Sequence, residues 1–239
     1  HLMRASSNHP VAWRDLWAFV IYILVQVILA NLFHLLLVPL HIFPVGLLFI
    51  FIGVITALTV IGYLIWSHRH HWKEKIIHAF KASRKYVGTM IGAYFLYIFA
   101  NGLITYLFKF LPEQWKFKET GNQESLMIFF NDPKWLPLAF LSIVILSPIT
   151  EELLFRHVLI GELGKKFGYV IMGIISAVVF ALLHMQAAQS PFEIFPYLLL
   201  GILFVYTYIK SGCNIAVSIM MHMFNNFMAF IIMVIQLHA

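Results

Sequence analysis

Seven long apolar stretches constrain the fold of this sequence more than any other feature. A helix needs about 20 mostly apolar residues to cross the hydrocarbon core of a membrane. Seven segments meet that requirement: residues 16–38, 42–66, 86–108, 135–163, 168–186, 192–209 and 215–237. Only 11% of the 239 residues are charged and 62% are hydrophobic, whereas soluble domains carry about 25% charged residues. The sequence therefore predicts an all-α integral membrane protein with about seven transmembrane helices.

Lys and Arg residues are distributed unequally between the loops on the two sides of the predicted bundle. Eleven lie on one side: Arg4, Arg14, Arg69, Lys73, Lys75, Lys81, Arg84, Lys85, Lys165, Lys166 and Lys210. Four lie on the other side, namely Lys109, Lys116, Lys118 and Lys134, and Arg156 lies inside a span. Cytoplasmic loops carry the excess of these residues. The pattern predicts a multi-pass protein of the cell membrane with a cytoplasmic N-terminus and an external C-terminus.

Two loops are longer than a turn. Residues 67–85 form a basic cytoplasmic loop whose aromatic and aliphatic residues have helical spacing, which favours a segment lying on anionic membrane lipids. Residues 109–134 form an external loop, and its apolar run at 126–130 predicts an interfacial piece. The basic net charge of +6 is the ordinary charge asymmetry of a cell-membrane protein, and no nucleic-acid partner is expected.

Ionisable residues inside the apolar segments are concentrated in three late spans. Such a side chain costs several kcal/mol in the membrane unless it faces a partner or a water-filled cavity. The fourth span contains Glu151, Glu152 and Arg156, the fifth contains His184, and the seventh contains His222 with Asn226. This concentration predicts an active site between spans four, five and seven.

Helical spacing sorts the polar residues of the fourth span. Glu152 and Arg156 are separated by four residues, so they share one helix face and form a predicted ion pair. Such pairing neutralises both groups and makes their burial tolerable. Glu151 lies about 100° further round the helix and therefore faces a different side. Two interpretations follow: the pair of Glu152 and Arg156 is a structural clamp, or the neighbouring carboxylates belong to a functional site.

The same spacing recurs in the fifth and seventh spans. Phe180 precedes His184 by four residues and shields one side of its imidazole, while His222 and Asn226 lie on one face. A buried histidine alone is usually a structural residue with satisfied hydrogen bonds. Three such pairs, each in a separate late span, indicate a site instead.

A carboxylate, two imidazoles and an amide in a low-dielectric pocket are suited to hydrolysis by an activated water. A glutamate can act as general base toward water, and a histidine can orient that water or return its proton. An amide and a second imidazole can donate hydrogen bonds to an oxyanion. No Ser–His–acid set is evident, and Cys213 lies at a loop edge without an obvious base.

Three short motifs resemble those of a known family. Glu-Glu-Leu-Leu-Phe-Arg at 151–156, Phe-Ala-Leu-Leu-His at 180–184 and His-Met-Phe-Asn-Asn at 222–226 are similar to the motifs of the CAAX-processing and bacteriocin-processing (Abi) family of intramembrane glutamic endopeptidases. The resemblance covers roughly residues 135–230 and points to a bacterial member. It implies a variable N-terminal membrane region at 1–134 with three spans, and a catalytic core at 135–239 with four.

The resemblance also implies a role for each motif residue. Glu151 and His184 would activate the hydrolytic water, and His222 with Asn226 would stabilise the oxyanion. Glu152, Arg156 and Phe180 would support the site. The chain lacks a His-Glu-x-x-His motif, so no cofactor is expected. Were Zn²⁺ bound, Glu151, His184 and His222 would be its ligands.

The implied function is endoproteolysis of a membrane-associated peptide or lipopeptide, as in CAAX-type processing, bacteriocin or signal-peptide maturation, or immunity. Two other classes of protein remain open from the residues. A proton- or ion-coupled transporter could use Glu151, His184 and His222 as a relay, although inverted hydropathy repeats are not evident. A non-catalytic immunity or scaffold protein could keep the fold without turnover.

Overall fold

A computed structural model describes residues 9–239, so Arg4, counted above among the cytoplasmic cations, lies outside the described part. All the regular elements in that part are helical. The α-helices are α1 (Trp17–Leu36), α2 (Val45–Ser67), α3 (Trp72–Ser83), α4 (Val87–Leu107), α5 (Gly121–Leu126), α6 (Leu136–Phe140), α7 (Ser147–Glu152), α8 (Gly164–Phe167), α9 (Tyr169–Leu183), α10 (Ile194–Lys210) and α11 (Ile215–His238). Short 3₁₀ turns join several of them, and two π-helical segments flank α7.

The helices confirm an all-α membrane protein. Over residues 9–239, six helical stretches are long and apolar enough to cross a membrane: Trp13–Leu40, Val45–Ser67, Trp72–Phe110, Pro133–Phe167, Pro191–Lys210 and Ile215–His238. The remaining predicted span corresponds to α9, which is apolar but only 15 residues long. Gly168, with a φ of 93°, separates α9 from α8, because glycine adopts this left-handed conformation without a steric penalty.

The described chain forms two compact units. The first contains the described residues up to Val11 together with Glu74–Ser125 and Phe155–Met221, and the second contains Ala12–Lys73, Leu126–Leu154 and His222–Ala239. Each unit therefore draws helices from both of the regions predicted from sequence, and the boundary at 134/135 stays a prediction about the family core.

An apolar core in the second unit fixes the segment that carries Glu151 and Glu152. Its buried residues are Ile50, Phe130, Ala139, Val144, Phe230 and Met233. Phe230 contacts Phe130 and Phe140, with ring centroids 5.1 and 5.3 Å apart. Part of the apolar run 126–130, expected at the membrane interface, thus lies inside protein, where Phe130 is 5% exposed.

Close packing of α9 against α10 organises the first unit. Gly201 lies against the backbone of Ala177, where an added Cβ would come within 3.2 Å of the carbonyl oxygen. Small residues allow helices to approach this closely in membranes. Phe180 and Phe204 then meet edge to face, with centroids 6.1 Å apart. This contact supports the end of α9, directly before His184.

The basic loop 67–85 contains α3. Ile76, Ile77 and Phe80 are exposed on this helix among its cations, and Asn214 donates a hydrogen bond to the carbonyl oxygen of Ala79. The helical spacing predicted for this loop is confirmed, while its position on lipid stays a prediction.

Cys213 lies in the turn between α10 and α11 with a φ of 61°. Burial raises the pKa of its thiol from 9.0 to about 11, and a hydrogen bond with the Tyr208 side chain opposes part of that shift. The thiolate is the nucleophilic form of cysteine. This cysteine, the single one in the sequence, is therefore a poor nucleophile at neutral pH.

We expect slow alkylation of Cys213 at pH 7.5, with a rate that increases about tenfold per pH unit up to about pH 11. Bromobimane fluorescence of the folded protein in detergent measures that rate directly. The same protein unfolded in dodecyl sulfate serves as the control, and its rate should level off near pH ~8.5. A folded protein whose rate levels off at that same pH would contradict burial of the thiol.

Candidate active site

The predicted fourth span is interrupted by two π-helical segments. Leu141–Leu146 and Leu153–Glu162 have π geometry on either side of α7. Segments of this kind are frequent at functional sites, and they change the hydrogen-bond register of a helix. In this chain they bracket the Glu-Glu motif, which occupies the last two positions of α7.

The π register leaves one backbone carbonyl for a side chain to satisfy. The N–H of Ser147 donates to the carbonyl oxygen of Ser142, five residues earlier. In that register the carbonyl of Ile143 would accept from position 148, but Pro148 has no N–H. Asn226 supplies the donor, since its Nδ2 lies 2.9 Å from the carbonyl oxygen of Ile143. The third-motif asparagine thus binds the helix that carries the first motif.

Replacing Asn226 with alanine is expected to lower the free energy of unfolding by about 2 kcal/mol, because the carbonyl of Ile143 loses its donor. In a Pro148→Ala background, a backbone N–H becomes present at position 148, so the same replacement should cost about half as much. Unfolding in mixed micelles, measured for the four proteins of this double-mutant cycle, gives both values. Equal costs in the two backgrounds would contradict the proposed link.

Glu152, His222 and Glu151 come together inside the second unit. The Nδ1 atom of His222 lies 2.7 Å from Oε1 of Glu152, and its Nε2 atom lies 3.7 Å from Oε2 of Glu151. His222 is 3% exposed and the side chain of Glu152 is fully buried. An imidazole is thus placed between two carboxyl groups in a nearly dry environment.

Each nitrogen of the His222 ring faces a carboxyl oxygen. Nδ1 lies at hydrogen-bond distance from Glu152, and Nε2 faces Glu151. A ring that carries its hydrogen on Nε2 presents an N–H beside Glu151.

Glu151 is held from a second direction. The hydroxyl group of Ser147 donates a hydrogen bond of 3.0 Å to its Oε1 atom. The side chain of Glu151 is 16% exposed, in contrast to the fully buried Glu152. Of the two neighbouring glutamates, Glu151 has the more exposed side chain, and its Oε2 atom, which faces His222, is itself buried.

Arg156 is fully buried in the first unit among aromatic rings. Its guanidinium carbon lies 4.7 Å from the ring centroid of Phe180, 5.3 Å from that of Phe204 and 5.9 Å from that of Phe155. Its Nη2 donates to the carbonyl oxygen of Gly201. These contacts stabilise a cation in an apolar environment, and they join Phe180 of the second motif to Arg156 of the first.

His184 follows α9 and has a defined tautomer. Its Nδ1 atom lies 2.7 Å from the carbonyl oxygen of Phe180. Because a carbonyl oxygen only accepts, Nδ1 must donate, and Nε2 is the acceptor of the neutral ring. The imidazole is half-buried and stacks on Tyr197, with centroids 4.7 Å apart and planes 22° apart.

The predicted site residues thus fall into two sets. Glu151, Glu152, His222 and Asn226 are connected within the second unit, as described above. Arg156, Phe180 and His184 are connected within the first. The ion pair between Glu152 and Arg156 and the convergence of both sets on one site stay predictions.

Sequence reasoning missed three contributors. Ser147 precedes Glu151 by four residues, so helical spacing could have identified it. Pro148 could have been recognised as the residue that leaves a carbonyl without a donor. Tyr197 carried no signal of its own, since a tyrosine in an apolar span is typical of lipid-facing and core positions.

Comparisons with known proteins agree with the motif analysis. Residues 133–228 match the family described as Type II CAAX prenyl endopeptidase, Rce1-like. This match confirms the resemblance predicted from the three motifs, all of which lie within it. No solved structure is significantly similar to the chain.

Two curated relatives are bacterial. An uncharacterized protein of Mycoplasma capricolum is 24% identical over 178 residues, which cover 72% of this chain and 52% of that protein. The protein of Bacillus subtilis named "Putative membrane peptidase YdiL" is 25% identical over 136 residues, which cover 57% of this chain and 52% of that protein. The chain thus spans about half the length of the curated relatives it matches.

Proposed function

We propose that this chain, whose residues 133–228 match the Rce1-like family, is an intramembrane endopeptidase of the CAAX-processing type. It would hydrolyse a peptide bond of a membrane-associated peptide or lipopeptide. The observation that carries the proposal is the placement of His222 between the carboxyl groups of Glu151 and Glu152. A general base and a hydrogen-bond donor are thereby placed side by side, as amide hydrolysis requires.

The proposed reaction begins with water and Glu151. The carboxylate accepts a proton as the water oxygen bonds to the scissile carbonyl carbon, and the carbonyl oxygen becomes an oxyanion. The Nε2–H of His222 donates to that oxyanion, and Glu152 holds the ring from the opposite nitrogen. Collapse of the intermediate breaks the C–N bond, and the proton passes from Glu151 to the leaving amine.

His184 and Asn226 take their proposed roles from the second and third motifs. His184 would orient the attacking water through Nε2, since Nδ1 is committed to the carbonyl oxygen of Phe180. One amide hydrogen of Asn226 is used at Ile143, and the second remains for the oxyanion, since the amide has two N–H donors. The asparagine would then contribute to both the fold and the chemistry.

The distribution of Lys and Arg supports an orientation with the N-terminus in the cytoplasm and the C-terminus outside. The relatives in Mycoplasma and Bacillus support a bacterial setting. Maturation of a bacteriocin or signal peptide, or immunity to one, is then the process we propose for the chain. Its partners would be a peptide or lipopeptide and the surrounding lipids.

The proposed reaction uses no metal, so chelation provides a direct test. We expect treatment with 1,10-phenanthroline followed by dialysis to leave at least about half of the peptidase activity. His222 backed by Glu152 also has the arrangement found behind zinc ligands. If activity were lost and then restored by Zn²⁺, Glu151 and His222 would be assigned as ligands and the general-base role would have to be abandoned.

The experiment that tests the function compares peptides released by cells that express wild type or Glu151→Gln. Mass spectrometry would identify a peptide cut only by the wild type, and so reveal the substrate and the scissile bond together. A quenched-fluorescent S-farnesyl peptide with three residues after the modified cysteine serves as a defined probe of prenyl-peptide cleavage in detergent. Identical peptide profiles and an uncut probe, with both proteins folded, would contradict the proposal.

The same variant separates the two other classes of protein. A non-catalytic scaffold should retain its cellular function when Glu151 becomes glutamine, because the shape and the Ser147 hydrogen bond are kept. A proton-coupled transporter should show flux in liposomes that depends on Glu151 without any peptide cleavage. A protease should lose cleavage and show no such flux.

A further inference from the structure

A row of contacts in the first unit leads from the loop at residues 118–125 to His184. The hydroxyl groups of Thr120 and Tyr197 lie 2.7 Å apart and share a hydrogen bond. The Tyr197 ring stacks on the His184 imidazole, and the Phe180 ring lies against the same imidazole with centroids 4.4 Å apart. Thr120 and Tyr197 are 5% and 8% exposed.

A buried carboxyl group joins the same loop to the turn that follows α9 through hydrogen bonds. Glu193 is 1% exposed and accepts hydrogen bonds from the backbone N–H groups of Gly121, Gln189 and Ser190, at 2.6, 2.7 and 2.7 Å. Gly121 lies so close to Ala187 that an added Cβ would come within 1.9 Å of its carbonyl oxygen. Carboxylates that accept several backbone N–H bonds are strongly stabilised. The loop is therefore fixed where Thr120 meets Tyr197.

We propose that Tyr197, held by Thr120, is the positioning residue of His184. The effect on catalysis rests on the proposed function. The effect on the orientation of the ring rests only on contacts within the first unit. Tyr197 acts through the imidazole and is not itself a catalytic residue. It sets the plane of the ring, and the carbonyl of Phe180 sets the rotation within that plane.

The hydrogen bond and the stacking are both needed to fix the direction of the His184 Nε2 atom. A hydrogen bond from Nδ1 to the carbonyl of Phe180 leaves the ring able to tilt about that bond. Stacking between Phe180 and Tyr197 removes that freedom, so Nε2 keeps a single direction. Misplacement of a reacting group by about 1 Å can lower a rate by about 10²-fold, which sets the scale of the expected effect.

The tyrosine hydroxyl has a distinct part in this arrangement. Without its bonds to Thr120 and Asn122 the Tyr197 ring keeps its packing but loses its anchor to the loop. We therefore expect the ring to matter more than the hydroxyl group. The loop is then coupled to the orientation of His184 through the Tyr197 hydroxyl group, which contacts Thr120 and Asn122.

Kinetics of the S-farnesyl probe test the proposal. Tyr197→Leu should lower kcat about 30-fold with KM within about twofold, while Tyr197→Phe should lower kcat less than about threefold. Thr120→Val removes the bonds to Gln123 as well as the bond to Tyr197, so any loss in the double variant beyond that of Tyr197→Phe reports the loop and not the tyrosine hydroxyl. Tyr206→Leu is the matched control, since Tyr206 lies on α10 with 51% exposure, and it should behave as wild type.

A wild-type kcat for Tyr197→Leu would overturn the proposal. So would an equal loss in Tyr197→Leu and Tyr206→Leu, since that result would reflect general damage to α10. An increase in KM at constant kcat would also count against positioning and indicate substrate contact instead.

The mobility of the His184 ring provides a second readout that needs no activity. In ¹⁵N-histidine-labelled protein, the His184 signals are assigned as those missing from His184→Gln. The Nδ1–H tautomer is expected in all the Tyr197 variants, because the carbonyl of Phe180 fixes it. The order of the ring, measured by ¹⁵N relaxation, should decrease in Tyr197→Leu and stay near the wild-type value in Tyr197→Phe. An unchanged ring order in Tyr197→Leu would refute the positioning role even if no probe is ever cut. Loss of the proposed function alone would appear as an uncut probe with the expected decrease in ring order.

Discussion

Replacement of Glu151 by glutamine is expected to lower kcat by at least about 10³-fold, since a positioned general base contributes about 10²- to 10⁴-fold. Glutamine has nearly the same shape, and its carbonyl oxygen still accepts the hydrogen bond from Ser147. The protein should therefore fold normally and still bind substrate, but it could not take a proton from water. Initial rates with the fluorescent probe, normalised to folded protein, measure the effect.

Glu162 provides a matched control for this change. It lies near the end of the same predicted span, is 7% exposed, and pairs with Lys165 at 2.7 Å. Glu162→Gln removes the same negative charge from the same stretch of chain, and its kcat should remain within about twofold of wild type. Retention of more than about a tenth of the wild-type kcat by Glu151→Gln would refute the general-base role.

Replacement of Arg156 by alanine should have the largest effect on stability. The change removes a fully buried side chain, its contacts with three aromatic rings and its hydrogen bond to Gly201. A desolvated cation–π contact contributes about 2 kcal/mol, and the cavity left by a large side chain adds a similar amount. We expect a loss of about 4 kcal/mol, visible as a decrease in Tm of about 10 °C.

Arg156→Lys separates the charge from the shape of the group. Lysine keeps the positive charge but lacks the planar guanidinium that stacks on Phe180 and reaches Gly201. It should lose about half as much stability as Arg156→Ala. If Arg156→Ala melted like the wild type in the same detergent, the aromatic environment would be irrelevant to folding.

The positions of the spans could be predicted from sequence because length and apolarity alone decide whether a helix crosses a membrane. The exception is instructive. Residues 168–186 are mostly apolar, yet the helix ends at Leu183 because His184 turns its side chain back to the carbonyl of Phe180. A local hydrogen bond ended the helix where hydropathy predicted three further residues.

The candidate site could be predicted only as far as local spacing reaches. Intervals of four residues linked Glu152 with Arg156 and His222 with Asn226, because residues at that interval share a helix face. They could not reveal that His222 binds Glu152, a contact between residues 70 positions apart. Nor could they reveal the bond from Asn226 to Ile143, because that bond depends on the π register of the segment Leu141–Leu146.

The 15-residue length of α9 has a consequence for the surrounding lipid. At 1.5 Å per residue the helix is about 22 Å long, whereas the hydrocarbon core is about 30 Å thick. A span shorter than the hydrocarbon core is accommodated by thinning of the bilayer, by snorkelling of flanking side chains or by oligomerisation. If the bilayer thins around α9, the proposed turnover should depend on acyl-chain length and be faster in thin bilayers.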